Sequence, residues 1–557
     1  MKMSKTSKTS RALSRASLLV FLAASAALEA QQPVSFDRLM HARQEPQNWL
    51  MYSGDTRGQR YSPLTQITPA NVKNLEQQWV FQVQSLEKFE ATPVVVDGVL
   101  YTVQAPDDVM ALDAVSGRIF WTYSYAPNPK VRPCCGRVNR GVAILGETLF
   151  YGTLDGHVIA LDAKSGRVRW NTTVEGARPE AGYTFTVAPQ IVKDKVILGV
   201  AGGDFGVRGF LSAFDVKTGK EAWRFYTIPG AGEPGSNTWP GDAWMHGGGG
   251  IWTTGSYDPD LNLTYWGLGN PGPDWNGDGR AGDNLYSDSL VAVDADTGKL
   301  KWHFQFTPHD EFDYDSTQVP VLADLQWQGR LRKVVLFANR NGFFYVLDRV
   351  SGEFLLGKPY VSVTWASGLD EKGRPTKQVS PTVEGVRIEP GVLGGTNWFS
   401  PSYSPRTGLF YVPSLLNTFN VLRKKPGPVG YIEGQPFVGL FPDGGPGGGG
   451  ARMVNHATPE EGHGAVQAID PLTGQRKWAY EMSDWTNAGV LSTASDLVFS
   501  GSQEGYFFAL DAKTGALLWK TSVGGQVAAG PMSYAVGGRQ YVAISAGSSL
   551  FVYALRQ

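Results

Sequence analysis

Ala111-Leu-Asp-Ala-Val-Ser-Gly117, followed four residues later by Trp121, decides the fold. The phrase returns at Ala160-Leu-Asp-Ala-Lys-Ser-Gly166 with Trp170, and at Ala213-Phe-Asp-Val-Lys-Thr-Gly219 with Trp223. It returns again at Ala292 with Trp302, degenerately at Val346 with Leu356, at Ala468 with Trp478 and at Ala509 with Trp519. Self-similarity at this period marks a radial or stacked array. Upstream of the first copy, Thr92–Val96 and Val99–Val103 are apolar, β-branched runs around Asp97-Gly98, a pair suited to a tight hairpin. Val109–Leu112 and Arg118–Tyr123 supply two further strands around the Asp-x-x-Ser-Gly turn. Each unit is therefore a four-stranded antiparallel sheet of about 40 residues, the size of a propeller blade. The recurring tryptophan reads as the residue that packs one sheet on the next.

Trp79, in Leu75-Glu-Gln-Gln-Trp-Val-Phe, sits in a fourth strand with no three before it. Arg539-Gln-Tyr-Val-Ala-Ile and Phe551-Val-Tyr-Ala-Leu supply strands at the other end that lack a partner. Ends that complete each other close a ring and remove exposed edges. The expected fold is all-β: one eight-bladed propeller over residues 31–557, closed by its N- and C-terminal strands. The interval from Gly357 to Trp478 is too long for one blade and must carry an insertion.

Composition narrows function. Net charge is −1 and no basic stripe is present, so nucleic acid is not an expected partner. Met1–Arg15 carries five Lys/Arg, Ala16–Leu28 is apolar but too short to span a membrane, and small residues follow at Ala26–Ala30. Residues 1–30 read as a secretory signal peptide, and the mature protein as periplasmic, with no transmembrane segment. The only two cysteines, Cys134 and Cys135, are adjacent, so there is no Cys-x-x-Cys-His haem site and no four-cysteine metal site. No Gly-x-Gly-x-x-Gly lies between a strand and a helix, so a nicotinamide fold is unsupported. Adjacent cysteines join only through a strained eight-membered ring. In an exported protein without other thiols a joined pair is expected; two free or buried thiols are the alternative.

In an antiparallel blade with strands A to D, the B–C turns and the D-to-A connections emerge on one face. The Asp-x-x-Thr-Gly turns emerge on the other. Unusual polar residues fall on the first face. Asp204, in Gly202-Gly-Asp-Phe-Gly-Val-Arg-Gly209, and Asn270, in Gly269-Asn-Pro, occupy the same B–C slot one blade apart. Pro308-His-Asp-Glu-Phe-Asp-Tyr-Asp315 is a D–A connection in which an extended backbone would put Asp313 and Asp315 on one side. Glu90, Cys134, Cys135 and Thr186 lie in D–A connections, and Arg340 in a B–C turn. Asp204, Asn270, Asp313 and Asp315 are all oxygen donors, a set suited to Ca²⁺ or a trivalent ion of similar size. Asp274-Trp-Asn-Gly-Asp-Gly279 starts like an EF-hand loop, but its twelfth position is Leu285, so it reads as a plain loop. Arg208 reads as the partner of a neighbouring carboxylate, with a site contact as the alternative, and His246 and His309 as hydrogen-bonded structural residues, with proton relay as the alternative.

Cys134-Cys-Gly-Arg-Val-Asn-Arg-Gly141, Gly203-Asp-Phe-Gly-Val-Arg-Gly209, Gly241-Asp-Ala-Trp with the following glycines and Trp252, Gly269-Asn-Pro and His309-Asp-Glu-Phe-Asp-Tyr-Asp315 occur together. In this set the chain resembles the pyrroloquinoline-quinone (PQQ)-dependent alcohol dehydrogenases, from about Phe36 to the C-terminus. The resemblance implies that PQQ lies between a Cys134–Cys135 disulfide ring and the Trp252 indole. It implies that Glu90, Arg140, Thr186, Arg340 and Asn397 hold the polar rim, with Gly202, Gly203 and Asn487 as further contacts. Asp204, Asn270 and Asp313 match the metal ligands, and Asp313 also matches the catalytic base. Asp315 resembles the mark of the lanthanide-dependent branch, calcium being the alternative ion. Asp204 departs from the family's Glu and shortens the reach by about 1.5 Å.

The implied activity is oxidation of a primary alcohol to an aldehyde. With no haem motif, the expected electron acceptor is a separate soluble cytochrome c. A homodimer is compatible with such a ring but has no sequence signal. Leu393, Trp398, Phe399 and the segment Lys424–Met453 are candidates for the pocket wall. The rival reading is a non-catalytic propeller serving as a binding platform, which would need none of the site residues.

Overall fold

The repeat phrase folds the same way at every copy. In Asp215-Val-Lys-Thr-Gly219 the aspartate Oδ1 accepts the backbone N–H groups of Lys217 (3.1 Å) and Thr218 (2.8 Å) and the Thr218 hydroxyl (2.8 Å). Gly219 closes the turn at φ 70°. A methyl there would lie 2.6 Å from the Trp170 ring of the preceding blade, so glycine is required by conformation and space together. Trp170 Nε1 in turn donates to the Val216 carbonyl of that turn at 3.0 Å. Trp79, Trp121, Trp223 and Trp478 donate likewise to Ala114, Ala163, Ala295 and Ala512. Each of these five tryptophans thus staples its sheet to the next by one flat contact and one hydrogen bond, whereas Trp302 packs on Gly352 with its buried Nε1 lacking a hydrogen-bond partner. In the degenerate copy Leu356 touches Gly474 and makes no such bond.

This computed structural model describes residues 32–440 and 462–557. The expected signal peptide, and residues 441–453 of the expected wall segment, lie outside them. Pro33–Gln557 form one compact unit, an eight-bladed propeller of antiparallel sheets. The second blade comprises Val94–Val96, Val99–Gln104, Asp108–Asp113 and Ile119–Tyr123, joined by the Asp97-Gly98 hairpin with both residues at positive φ. Ring closure is as expected: Leu75–Gln82 pairs antiparallel with Ser549–Leu555, completing the sheet of Met532–Val536 and Arg539–Ala546. The eighth sheet gains a parallel strand, Tyr61–Ser62 on Leu491–Thr493.

The long interval holds one blade, Ser402–Ser404, Leu409–Leu416, His463–Ile469 and Arg476–Glu481, with insertions before it and inside it. Two small sheets belong to these insertions, Gly368–Leu369 with Pro375–Thr376 and Val386–Ile388 with Asn420–Leu422. The segment before the first blade runs along the inner strand ends: Tyr257 N–H donates to Thr56 O, Leu322 N–H to Arg57 O and Tyr403 N–H to Gln59 O. Among the described residues no helix is long and apolar enough to cross a membrane.

Candidate active site

The B–C turns and D–A connections of the ring meet in one cavity of about 260 Å³. Its wall contains Glu90, Cys134, Cys135, Arg140, Thr186, Gly202, Gly203, Asp204, Trp252, Asn270, Asp313, Asp315, Arg340, Asn397 and Asn487, so every expected cofactor and metal residue is brought together, whereas none of residues 424–440, the described part of the expected wall segment, lines it. Leu393, Trp398 and Phe399 complete one side.

Two arginines organise the polar wall. Arg140 is buried and pairs with Glu90 at 2.7 Å. It also donates to the Thr186 hydroxyl and the Trp252 carbonyl, each at 3.0 Å. Its guanidinium carbon lies 5.1 Å from the Trp252 ring centre and 5.0 Å from that of Trp398. Burial raises the Glu90 pKa while the Arg140 charge opposes the shift. Arg340 donates to Asp315 Oδ2 at 2.6 Å, to Asp313 Oδ2 at 3.1 Å and to the Val392 carbonyl at 2.8 Å. Asp315 uses its other oxygen to accept the Asn270 N–H at 3.0 Å. A methyl on Gly269 would stand 2.6 Å from that oxygen, so the bare backbone of Gly269 admits Asp315.

The segment carrying Asp313 is not extended. Asp313 adopts φ 61°, and Asp310 beneath it accepts the N–H groups of Phe312 (3.1 Å) and Tyr314 (3.0 Å). Asp313 and Asp315 share Arg340 because this capped turn aims them, not because of a two-residue period. Asp204 sits in a short 3-10 turn, Gly203–Phe205, whose carbonyl accepts the Phe437 N–H at 2.7 Å.

Cys134 and Cys135 are disulfide-bonded. The Asp204 carboxylate and the two sulfurs lie within 4.8 Å of one another. Joined sulfurs carry no thiolate, so this grouping is no soft-metal site. The oxygen donors are different. Asp204, Asp313 and Asp315 share the buried Arg340, and the fully buried Asp274 acts on these carboxylates while its charge is also felt by the buried Arg280. Burial, then the charge of Asp315, pushes Asp204 up to about 6. Burial raises Asp313 well above the usual carboxylate range, Arg340 opposes the shift, and Asp315 and Asp204 add to it. Three carboxylates on one guanidinium, Asp204, Asp313 and Asp315 on Arg340, leave a surplus of negative charge that a hard cation would neutralise. The buried Asp274 Oδ2 has no hydrogen-bond partner. The donor chemistry thus fits a metal ion, and Arg140, Arg340 and the flat Trp252 and disulfide surfaces fit an aromatic polycarboxylate.

Arg208 pairs with Glu233 at 3.3 Å, His309 Nδ1 bonds Gly282 O, and His246 stacks on Tyr431 and bonds Gly206 O. None of the three lines the cavity. Sequence reasoning missed Lys88 and Thr184 in the wall. Each lies two residues before a flagged neighbour, Glu90 or Thr186, so the local spacing held the signal. It also missed Asp274, which was read as a loop residue.

Residues 49–387 and 481–542 match the family described as glucose/ethanol/alcohol dehydrogenase, beta-propeller domain. The quinohemoprotein alcohol dehydrogenase ADH-IIG of Pseudomonas putida is 40% identical over 95% of this chain and 77% of its own length. The quinoprotein alcohol dehydrogenase PedH of Pseudomonas putida is 37% identical over 93% of this chain and 89% of its own. The solved structure of a europium-containing methanol dehydrogenase superposes with a TM-score of 0.83 at 33% identity, covering 93% of this chain and 100% of that one. The chain belongs to the PQQ-dependent alcohol dehydrogenases.

Proposed function

We propose that this quinoprotein alcohol dehydrogenase oxidises primary alcohols to aldehydes in the periplasm, using PQQ and a lanthanide ion, and passes electrons to a separate cytochrome c. The observation that carries the metal reading is the set of three carboxylates, Asp204, Asp313 and Asp315, sharing Arg340, with the buried Asp274 acting on Asp204 and Asp313 from beside them. Each added carboxylate favours a trivalent over a divalent ion by one more unit of charge interaction. The similarity to a europium-containing methanol dehydrogenase supports the same choice.

Bound PQQ supplies the acceptor for hydride from the alcohol carbon. Asp204, Asn270, Asp313 and Asp315 would hold the metal; Arg140, Thr186, Arg340, Asn397 and Asn487 would hold the quinone's polar rim, with Gly202 and Gly203 giving close backbone approach. Trp252 and the Cys134–Cys135 ring would cover its faces. Asp313 acts as the base. Arg340 engages its Oδ2, which leaves Oδ1 to accept the hydroxyl proton of the alcohol. A base must be ionised, and burial works against that; Arg340 opposes the shift, and a bound cation would oppose it further. Leu393, Trp398 and Phe399 keep water from this side of the cavity.

The test is reconstitution of metal-free protein with PQQ and either La³⁺ or Ca²⁺, followed by assay on a panel of primary alcohols with cytochrome c or an artificial acceptor. Turnover is expected with La³⁺. Turnover with Ca²⁺ alone would replace the lanthanide reading with a calcium one. Activity with the artificial acceptor but none with any cytochrome c would remove the proposed partner.

A further inference from the structure

We propose that Asp274 is a positioning residue of the cation centre: it fixes the Asn270 amide and adds a charge that selects a trivalent over a divalent ion. The inference rests on the cation reading above.

Asp274 is fully buried. Its Oδ1 accepts from Asn270 Nδ2 at 2.8 Å. As the acceptor of this bond, Oδ1 holds the nitrogen end of the Asn270 amide toward itself. The amide oxygen must then point the other way. There it meets the loop of Asp204, and a methyl on Gly203 would lie 3.3 Å from it. The residue thus decides which end of Asn270 is offered to an ion.

The second oxygen of Asp274 points to the other half of the role. Oδ2 is buried and has no hydrogen-bond partner. The charges acting on Asp274 most strongly are those of Asp204 and then Asp313, followed after the Asn270 bond by Asp315. A buried, half-satisfied carboxylate facing three others is costly by itself. A cation nearby turns the same repulsion into attraction, and a charge of +3 gains more than +2. The shorter Asp204 gives up reach at the centre, and Asp274 returns charge to it from behind Asn270.

The loop is held firmly enough for this task. Trp275 N–H donates to the Val438 carbonyl at 2.9 Å, Gly277 N–H to Glu311 Oε1 at 2.8 Å, and Asn276 Nδ2 to the carbonyls of Lys425 and Gly427. The segment around Val438 also holds Asp204, through Phe437 N–H. One strap from the seventh blade therefore spaces the Asp274 loop against the Asp204 loop.

The experiment compares wild type, Asp274→Asn, Asp274→Ala and Asp204→Ala. Each full chain is prepared metal-free, mixed with PQQ and titrated with LaCl₃ or CaCl₂ by calorimetry, with circular dichroism to check folding. Asp274→Asn keeps an oxygen acceptor for the amide but removes the charge. It is expected to weaken La³⁺ binding roughly tenfold or more and Ca²⁺ binding much less, so that the ion ratio collapses. Asp274→Ala also frees the amide and is expected to weaken both ions. An unchanged La³⁺/Ca²⁺ ratio in Asp274→Asn, with La³⁺ binding still lost in Asp204→Ala, overturns this role alone. Equal La³⁺ binding in wild type and Asp204→Ala overturns the cation centre itself, and this role with it. Should Asp274→Asn fail to fold, Asp274→Ser, an uncharged acceptor, makes the same measurement.

Discussion

The two faces of the ring carry the same residue type in opposite physical states. On the face of the repeat turns, Asp215 accepts two backbone N–H groups and a hydroxyl, and its pKa is lowered, chiefly by the Thr218 hydroxyl against a smaller effect of burial. Asp294 is lowered too, burial pulling upward but losing to Thr297 and Lys301. On the opposite face Asp204, Asp274 and Asp313 are raised, by burial first and then by neighbouring carboxylates, Asp315 acting on all three. A carboxylate whose oxygens are filled by its own turn is building a scaffold. One left with like charges and few donors is set up for something the chain does not itself contain.

That contrast breaks most readily at the base. Asp313→Ala should leave the fold and quinone binding intact while kcat falls by roughly 10²–10⁴-fold. The matching change on the other face, Asp215→Ala, should leave kcat unchanged and cost about 1 kcal/mol of stability. Steady-state kinetics and thermal unfolding of the two variants decide it. Retained turnover in Asp313→Ala, or lost turnover in Asp215→Ala, would erase the distinction between the faces.

The scaffold face should answer to packing instead. Trp223 lies on Gly298 of the next blade and donates to Ala295 O at 3.1 Å. Trp223→Ala should cost about 3–5 kcal/mol, read by denaturant unfolding, with the KM for alcohol unmoved. The junction at Leu356 lacks the hydrogen bond already, so Leu356→Ala should cost less, about 2–3 kcal/mol. An equal loss at the two junctions would show that the indole N–H contributes nothing to the staple.

The scaffold was legible because it repeats. Seven copies of one turn, each with its glycine and its apolar partner, gave the blade, and Trp79 with the orphan C-terminal strands gave the closure. The site was legible only as far as position within a blade determines the face of the ring: Asp204 and Asn270 share a slot, and Arg340, Thr186 and Glu90 fall into equivalent connections. What position could not give is direction. The expectation for Asp313 and Asp315 assumed extended backbone, whereas the Asp310 cap and a left-handed φ aim them. Asp274 escaped because a loop rich in Asp, Asn and Gly looks like any exposed turn; only its burial against Asn270 sets it apart. The strap over the Asp204 and Asp274 loops comes from an insertion in a different blade, about 160–230 positions away in the sequence, which no repeat register reaches.

The smallest effect tests the contrast without any substitution. A carboxyl whose folded pKa lies above its unfolded value binds more protons folded than unfolded, so stability falls as pH rises through that interval. Asp204 is pushed up to about 6 and Asp310 to about 7, both chiefly by burial. Metal-free protein should therefore melt a few degrees higher at pH 5 than at pH 8. La³⁺ should cancel that slope, because the ion stabilises the ionised form. The repeat-face carboxylates act in the reverse sense and in another window. Asp215 has a lowered pKa, so its contribution is complete above the unfolded value and is lost only as pH drops below about 4. Thermal midpoints from pH 3 to 8, with and without La³⁺, should then show an acid limb indifferent to the ion and a neutral limb that the ion removes. A neutral limb that persists with La³⁺ bound would place the raised carboxylates outside the reach of the cation.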